Sequence, residues 1–280
     1  MKTPLLEVQE LSCSYETSQY ALQNVNARIY PGEKIAVLGS NGAGKSTFFL
    51  SLNGIIKPSA GRILLNGTPV QYDRKGLLSL RRKVGVVFQD PDTQIIASTV
   101  AGEISFGPMN LRLGKEEVRR RTEQAMNYME LDDFAQRSPH YLSGGEKKRV
   151  SIADIVAMGS EIFLFDEPTA SLDPKNTLLL EETLTRLNQD GSTILVSTHD
   201  LDFALRWANR ILVFHRGQLI GDNTPEKIFS DRALLIKANL REPLLFQVGQ
   251  LLKETGVLPH ASGIPICIEE LRQLLNKTTT

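Results

Sequence analysis

The sequence predicts an α/β fold built around a largely parallel sheet. Two observations support this class: short apolar runs have the length and content of buried strands, and helix-like segments separate several of them. Each run contains four or five residues, and the runs cover positions 34–38, 62–65, 84–88, 162–165, 193–197 and 211–214. Strands joined by helical crossovers pair in parallel, so we expect a buried sheet with helices packed on its faces.

Three other regions follow different patterns. Up to about residue 35, apolar and polar positions alternate, which predicts antiparallel strands joined by turns. Residues 115–129 have helical spacing and many charges, which predicts an inserted helical subdomain. The arginines at 119–121 lie among glutamates, as expected of a solvated helix face. Near the C-terminus, 243–254 and 268–276 are amphipathic and predict a small helical unit.

The composition excludes several classes of protein. The 280 residues carry 32 Lys and Arg against 32 Asp and Glu, and this balance argues against a nucleic-acid-binding protein. The two cysteines, Cys13 and Cys267, are far apart and lack metal-ligand spacing, so neither a disulfide framework nor a zinc site is predicted. Because no signal peptide is apparent and no apolar run approaches the roughly 18–20 residues that cross a bilayer, we expect a soluble chain.

A glycine-rich loop follows the first predicted buried strand. It fits the phosphate-loop pattern of glycine, four residues, glycine, lysine and serine, and a predicted helix comes directly after it. Such a loop points backbone N–H groups at an anion, so we expect it to bind ATP. Lys45 would reach the β- and γ-phosphates, and the Ser46 hydroxyl would bind Mg²⁺. The predicted ATP-binding residues are Gly39, Ser40, Asn41, Gly42, Ala43, Gly44, Lys45, Ser46 and Thr47.

Two acidic residues end another predicted buried strand. The apolar residues 162–165 deliver Asp166 to the carboxyl edge of the sheet, where ligands bind in open α/β folds. There Asp166 can hold Mg²⁺ through its water shell. The next residue, Glu167, points the other way along the strand and can act as a general base on an attacking water.

The pentapeptide Leu142-Ser143-Gly144-Gly145-Glu146 lies between these two motifs and makes the prediction more specific. With the loop before it and the Asp-Glu strand after it, the pentapeptide is similar to the signature motif of ABC (ATP-binding cassette) ATPases, and the resemblance extends over essentially the whole chain. The family's signature contacts the γ-phosphate bound to the opposite subunit, and residues that open a helix can present such donors to an anion.

The resemblance implies an architecture as well. It predicts the phosphate-loop NTPase cassette of the ABC family, with a RecA-like core, an antiparallel β subdomain and a helical subdomain. The cassette would occupy residues 1–235, with the helical subdomain at about 90–160, and a small helical extension would occupy 236–280.

Four further positions resemble motifs of the same family. Gln89 matches the Q-loop glutamine that senses Mg²⁺ and the attacking water, and Asp173 matches the D-loop at the dimer interface. His199 matches the switch histidine that contacts the γ-phosphate. Tyr15 is placed like the aromatic residue that stacks on adenine, with Tyr20 as an alternative. The resemblance therefore implies that Glu167, His199 and Gln89 serve catalysis and that Ser46, Gln89 and Asp166 serve Mg²⁺.

The cassette's partners follow from the same resemblance. One phosphate loop and one signature make half of each ATP site, so a second ATPase subunit must meet this one with two-fold symmetry, most simply a second copy and alternatively a paralogue. The stretches 87–94 and 106–111 resemble the energy-coupling factor ATPases, importers with small membrane-embedded substrate-binding subunits. A transmembrane coupling subunit is therefore expected to dock between Gln89 and Asn110, which puts the chain on the cytoplasmic face of the cell membrane.

The sequence identifies the transported substrate less specifically than it identifies the ATPase. Stretches 75–81, 106–108 and 239–241 resemble the CbiO family of cobalt-import ATP-binding proteins, and 239–241 would open the C-terminal helical extension. One departure is Asp154, which stands where relatives usually carry a small residue. Because the cargo never contacts this subunit, the same motor residues suit nickel or vitamin import. Two further classes stay open: a soluble, non-transport ABC ATPase and a nucleotide-binding module without turnover.

Overall fold

In the part of the chain that the structure describes, ten strands form two sheets. The computed structural model describes residues 3–16, 19–170, 172–259 and 262–278. The strands in the described residues are β1 (Leu6–Glu16), β2 (Gln19–Ile29), β3 (Lys34–Leu38), β4 (Ala60–Leu65), β5 (Thr68–Pro69), β6 (Val84–Val87), β7 (Ile162–Asp166), β8 (Thr193–Ser197), β9 (Arg210–His215) and β10 (Gln218–Asn223).

The larger sheet has six strands in the order β10-β9-β3-β8-β7-β6. Strands β9, β3, β8, β7 and β6 pair in parallel, which confirms the predicted α/β core. The sixth, β10, pairs antiparallel with β9 as a hairpin. It was not predicted, because its residues are half-exposed or exposed and give no buried apolar run.

The smaller sheet is antiparallel, with the order β2-β1-β4-β5. The alternating pattern near the N-terminus predicted β1 and β2 correctly. The run at 62–65 is part of β4, which pairs antiparallel with β1 and does not join the parallel sheet. Only Ile63 of that strand is fully buried, so the run is the inner face of a surface sheet and not a central strand.

Eleven α-helices lie in the described residues. They are α1 (Lys45–Leu52), α2 (Arg74–Lys83), α3 (Val100–Asn110), α4 (Lys115–Tyr128), α5 (Gly144–Met158), α6 (Pro174–Gln189), α7 (Leu201–Trp207), α8 (Pro225–Ser230), α9 (Arg232–Ala238), α10 (Leu244–Glu254) and α11 (Ile268–Thr278).

Helices α3, α4 and α5 pack on one another between β6 and β7 and form the inserted helical region. The spacing of apolar residues predicted α4 but not α3, which contains two glycines and Pro108 and so lacks a helical signature. Thr99 starts α3 by accepting a hydrogen bond from the Gly102 backbone N–H at 3.1 Å. On α4, ion pairs join Glu116 to Arg119 and Glu117 to Arg120, as expected of a solvated face.

The larger sheet separates two apolar clusters, because successive side chains of a strand point to opposite faces. On β7, Phe163 and Phe165 face the helical region, whereas Ile162 and Leu164 face α1 and the antiparallel sheet. Both clusters are closed by helices or by the second sheet. This burial holds the carboxyl ends of β3, β7 and β8 together at one edge.

The C-terminal helices continue from the core. Asn239 ends α9 in the left-handed conformation (φ 56°), so the stretch expected to open the extension instead closes a helix. Phe246 of α10 is buried, with its ring centroid 6.1 Å from that of Phe229. We propose a division into a cassette of 1–235 and an extension of 236–280; α9 runs across that boundary.

No helix in the part of the chain that the structure describes combines the length and apolarity needed to cross a membrane.

Candidate nucleotide-binding half-sites

The predicted phosphate loop connects β3 to α1, as the motif requires. Three of its glycines have positive φ, and two of them are also confined by neighbouring backbone. A Cβ on Gly39 would lie 2.5 Å from the Phe214 carbonyl oxygen, and one on Gly44 would lie 2.8 Å from the Ala21 carbonyl oxygen. Only glycine fits these two positions. Within the loop, Ala43, Lys45 and Thr47 are buried, while Asn41, Gly42 and Ser46 are exposed.

Lys45 curls back over its own loop. Its Nζ donates hydrogen bonds to the carbonyl oxygens of Gly39 at 2.8 Å and Ser40 at 3.4 Å, and the residue is only 6% exposed. Burial lowers the pKa of Lys45, and the nearby carboxylate of Glu167 opposes that shift. The ammonium group is thus held over the loop, where an acceptor-rich group such as a phosphate would contact it.

Asp166 and Glu167 leave the end of β7 in different directions. The Ser197 hydroxyl, from the paired strand β8, donates to Asp166 Oδ1 at 2.6 Å and accepts from the Glu167 backbone N–H at 2.9 Å. Glu167 has a positive φ of 46°, and its carboxylate lies near His199 and Lys45. One serine therefore contacts the side chain of Asp166 and the backbone of Glu167.

Three of the predicted residues meet at this edge of the sheet. Glu167 Oε1 lies 2.9 Å from His199 Nε2 and 3.5 Å from Lys45 Nζ, and Lys45 Nζ lies 3.5 Å from His199 Nε2. They come from the loop after β7, the loop after β8 and the start of α1. A carboxylate, a histidine and a lysine are thus brought within contact of one another at the mouth of the phosphate loop.

Gln89 follows β6, and its backbone is anchored by a residue that sequence reasoning missed. Lys148 of α5 donates from Nζ to the carbonyl oxygens of Phe88 at 2.9 Å and Gln89 at 2.8 Å. The lysine is 2% exposed, and burial lowers its pKa to about 8. Its position in the sequence could have indicated burial. Lys148 lies three residues after Gly145 and four before Ile152, which places it on the buried, apolar face of the helix.

The predicted signature residues lie at the start of α5. Leu142 is buried, whereas Ser143 and Gly144 are exposed. Ser143 is the N-cap, and with Glu146 it forms a capping box. Among the described residues, no hydrogen bond or ion pair joins positions 142–146 to positions 39–46.

The signature instead contacts the segment that contains Asp173. A Cβ on Gly145 would lie 2.2 Å from Asn176 Oδ1. Asp173 is the N-cap of α6, accepting from the Asn176 backbone N–H at 2.9 Å and from its side-chain Nδ2 at 2.6 Å. Asn176, which carries no motif signal of its own, therefore connects the two predicted dimer-facing motifs.

The side chain of Tyr15 lies outside the described residues, and the alternative, Tyr20, is 57% exposed.

The phosphate loop, the acids at the end of β7 and the helix-capping signature define a phosphate-loop nucleotide-binding cassette of the ABC type. A family model described as ABC transporter matches residues 22–170. The chain belongs to the family of ABC transporter ATP-binding proteins, which are ATPases.

Comparison with known proteins shows which members of this family the chain resembles. The chain is 46% identical over 91% of its length to the energy-coupling factor transporter ATP-binding protein EcfA2 of Methanospirillum hungatei, and it spans 64% of that protein's length. It is 44% identical to EcfA of Methanococcus maripaludis, with 94% of each chain covered. Among solved structures, cbiO1 of Clostridium perfringens, part of the ABC transporter complex cbiONQ, superimposes with a TM-score of 0.75 and 38% identity, covering 90% of this chain and all of cbiO1.

Proposed function

We propose that this ATPase is the motor subunit of an energy-coupling factor importer for cobalt ions. The observation that carries the ATPase mechanism is the contact between Glu167, His199 and Lys45 at the mouth of the phosphate loop. The cobalt assignment rests on the resemblance of the sequence to the CbiO family and on the structural similarity to cbiO1. Nickel or vitamin import by the same motor is the alternative.

In the proposed mechanism the groups at the mouth of the loop divide the work on ATP. Lys45 and the backbone N–H groups of 39–47 bind the β- and γ-phosphates. Glu167 accepts a proton from the attacking water. His199, whose Nε2 lies 2.9 Å from Glu167 Oε1, contacts the γ-phosphate. Gln89 orients the water. Tyr15 stacks on the adenine ring.

The donor set also fits Mg²⁺. Ser46, Gln89 and Asp166 offer a hydroxyl, an amide and a carboxylate, the hard oxygen ligands that this ion prefers while it keeps several waters. The Ser197 hydroxyl holds Asp166 Oδ1 in place, so the carboxylate needs little rearrangement. Bound Mg²⁺ would neutralise negative charge on the phosphates.

The signature is proposed to act on a second subunit. Leu142, Ser143, Gly144, Gly145 and Glu146 lie at the start of α5, where Ser143 and Gly144 are exposed and can reach ATP bound to a partner. Asp173 would lie at the same interface. Two copies related by two-fold symmetry would then enclose two ATP molecules, and hydrolysis would reopen the dimer.

A groove lined in part by α3 supports the proposed docking of a transmembrane coupling subunit. It has a volume of about 720 Å³ and lies between α2, α3 and α5. Leu78 and Phe106 at its lining are exposed large apolar side chains. The docking segment between Gln89 and Asn110 contributes α3 to this groove. Docking there, with a membrane-embedded substrate-binding subunit in the same complex, would hold the chain on the cytoplasmic face of the membrane.

Uptake by the reconstituted transporter tests the proposal. The chain is co-expressed with its native membrane subunits, and ATP-dependent uptake of Co²⁺, Ni²⁺ and a panel of vitamins is measured. Cobalt uptake that disappears in a Glu167→Gln variant is the expected result. Uptake of a vitamin alone would overturn the cobalt assignment but keep the importer, and the absence of any stimulated uptake would contradict the importer itself.

A further inference from the structure

The signature motif ends in a carboxylate that bonds to the motif's own serine. Glu146 Oε2 accepts hydrogen bonds from the Ser143 backbone N–H and from the Ser143 hydroxyl, both at 2.7 Å. The Glu146 backbone N–H in turn donates to Ser143 Oγ at 3.4 Å. The bonds from Ser143 lower the pKa of Glu146, so the carboxylate is ionised near neutral pH.

This arrangement uses the single hydroxyl proton of Ser143. A hydroxyl has one O–H, and an ionised phosphate oxygen can only accept, so the Ser143 hydroxyl cannot donate to a phosphate while it donates to Glu146. The carboxylate is also an acceptor without protons of its own. It therefore offers nothing to an incoming phosphate except like-charge repulsion.

The cations around Glu146 are engaged elsewhere. The charges of Arg149 and Arg137 help to lower the pKa of Glu146, but among the described residues neither side chain bonds to its carboxylate. The guanidinium of Arg149 donates to the carbonyl oxygens of Met129 and Glu130, and that of Arg137 stacks on the Phe134 ring with its carbon 4.9 Å from the ring centroid. In the part of the chain that the structure describes, the hydrogen bonds to the Glu146 carboxylate come from Ser143 and not from either arginine.

We propose that Glu146 is a positioning residue that restrains Ser143 and opposes ATP-driven closure of the dimer. This inference rests on the proposed function, because it assumes that the signature meets ATP held by a second subunit. Closing the dimer then requires Ser143 to exchange its bond to Glu146 for one to the γ-phosphate, with the carboxylate turned aside. ATP affinity in the dimer is set partly by this exchange.

Replacing Glu146 by glutamine removes the negative charge and keeps the size of the side chain. The Glu146→Gln side chain can still accept from the Ser143 backbone N–H, which preserves the helix cap, and its amide can donate to a phosphate. The matched control is Glu116→Gln, which removes the same charge from an exposed ion pair on α4. The control variant leaves the signature untouched.

The experiment measures the ATP concentration at half-maximal dimerisation, by light scattering, in a Glu167→Gln background in which ATP hydrolysis is strongly slowed. We expect Glu146→Gln to lower that midpoint about tenfold and Glu116→Gln to leave it unchanged. The difference should shrink as ionic strength rises from about 0.05 to 0.5 M, because salt screens a charge effect and not a loss of packing.

The possible outcomes separate this inference from the proposed function. An ATP-dependent dimer whose midpoint is unchanged or raised in Glu146→Gln would overturn the role of Glu146 and leave the motor assignment intact. An equal shift in Glu116→Gln would also overturn it, because the effect would then come from net charge and not from the contact with Ser143. Absence of any ATP-dependent dimer in the background variant would remove the proposed function and this inference with it.

Discussion

The phosphate loop and the signature motif both begin a helix, yet they are built for different surroundings. Lys45 at the start of α1 is buried, and it contacts Glu167 and its own loop within the chain. Ser143 at the start of α5 is exposed, and its hydroxyl bonds to the helix's own Glu146. One half-site is assembled inside the subunit, and the other is presented at its surface. This difference is what we expect if the second half-site acts on a neighbouring molecule.

The largest expected effect comes from the half-site that is assembled inside the subunit, where Glu167 contacts Lys45. Glu167→Gln should lower the rate of ATP hydrolysis by about 10² to 10⁴-fold, because an amide cannot take a proton from water. ATP should still bind and should hold the dimer closed. Phosphate release and size-exclusion chromatography with ATP measure the two effects. Hydrolysis at the normal rate would show that Glu167 is not the base.

The contact between the signature and α6 gives the next largest effect. Gly145→Ala places a Cβ 2.2 Å from Asn176 Oδ1, so we expect a loss of about 1 to 3 kcal/mol in the free energy of unfolding. The matched control is Gly144→Ala, whose Cβ would meet no atom within 4 Å. Urea denaturation compares the two variants, and equal stability of both would contradict the close contact.

Lys148 connects the signature helix α5 with the segment after β6, because its Nζ donates to the backbone carbonyl oxygens of Phe88 and Gln89. Lys148→Met removes two hydrogen bonds and leaves two carbonyl oxygens without that donor, so we expect a loss of about 1 to 3 kcal/mol. Its neighbour Lys147 forms an ion pair with Asp92, whose side chain is largely exposed, and Lys147→Met should cost less than about 1 kcal/mol. Urea denaturation of the two variants is the measurement, and a larger loss in Lys147→Met would be the contrary result.

Much of the half-site around the phosphate loop was predictable from the sequence. The contacts that Lys148 and Asn176 make between distant elements were not. The strand, glycine loop and helix around Lys45 form a local pattern, and so do Asp166 and Glu167 after an apolar run. Lys148 meets residues 59 and 60 positions away, and Asn176 meets a glycine on another helix. Such contacts depend on how elements pack, which spacing along the chain does not encode.

The smallest expected effect concerns Asp154, in the middle of the signature helix. Burial, with the nearby charge of Glu103, raises the pKa of its carboxyl to about 7, while the Gly107 backbone N–H donates to Oδ1 at 3.2 Å. A folded-state pKa above the unfolded value means that stability falls as pH rises from about 4 to 7 and stays lower above that.

Replacing the Asp154 carboxyl by an amide tests the direction of this pH dependence of stability. Asp154→Asn keeps an oxygen for the Gly107 N–H and cannot ionise, so it should stabilise the protein by about 1 to 2 kcal/mol at pH 8 and by much less at pH 5. Denaturation curves at the two pH values measure the difference. Greater stabilisation at pH 5 than at pH 8 would contradict a raised pKa.

The central claim, that each ATP site is completed by a second subunit, is tested by mixing two inactive variants. Lys45→Ala removes the phosphate-loop lysine, whereas Ser143→Asp keeps a helix cap and puts a repelling charge at the signature. A mixed dimer pairs an intact loop with an intact signature at one site. We predict that each variant alone is inactive and that an equimolar mixture regains about a quarter of wild-type ATPase activity, since half of the dimers are mixed and have one intact site. A mixture that stays at background would contradict the claim.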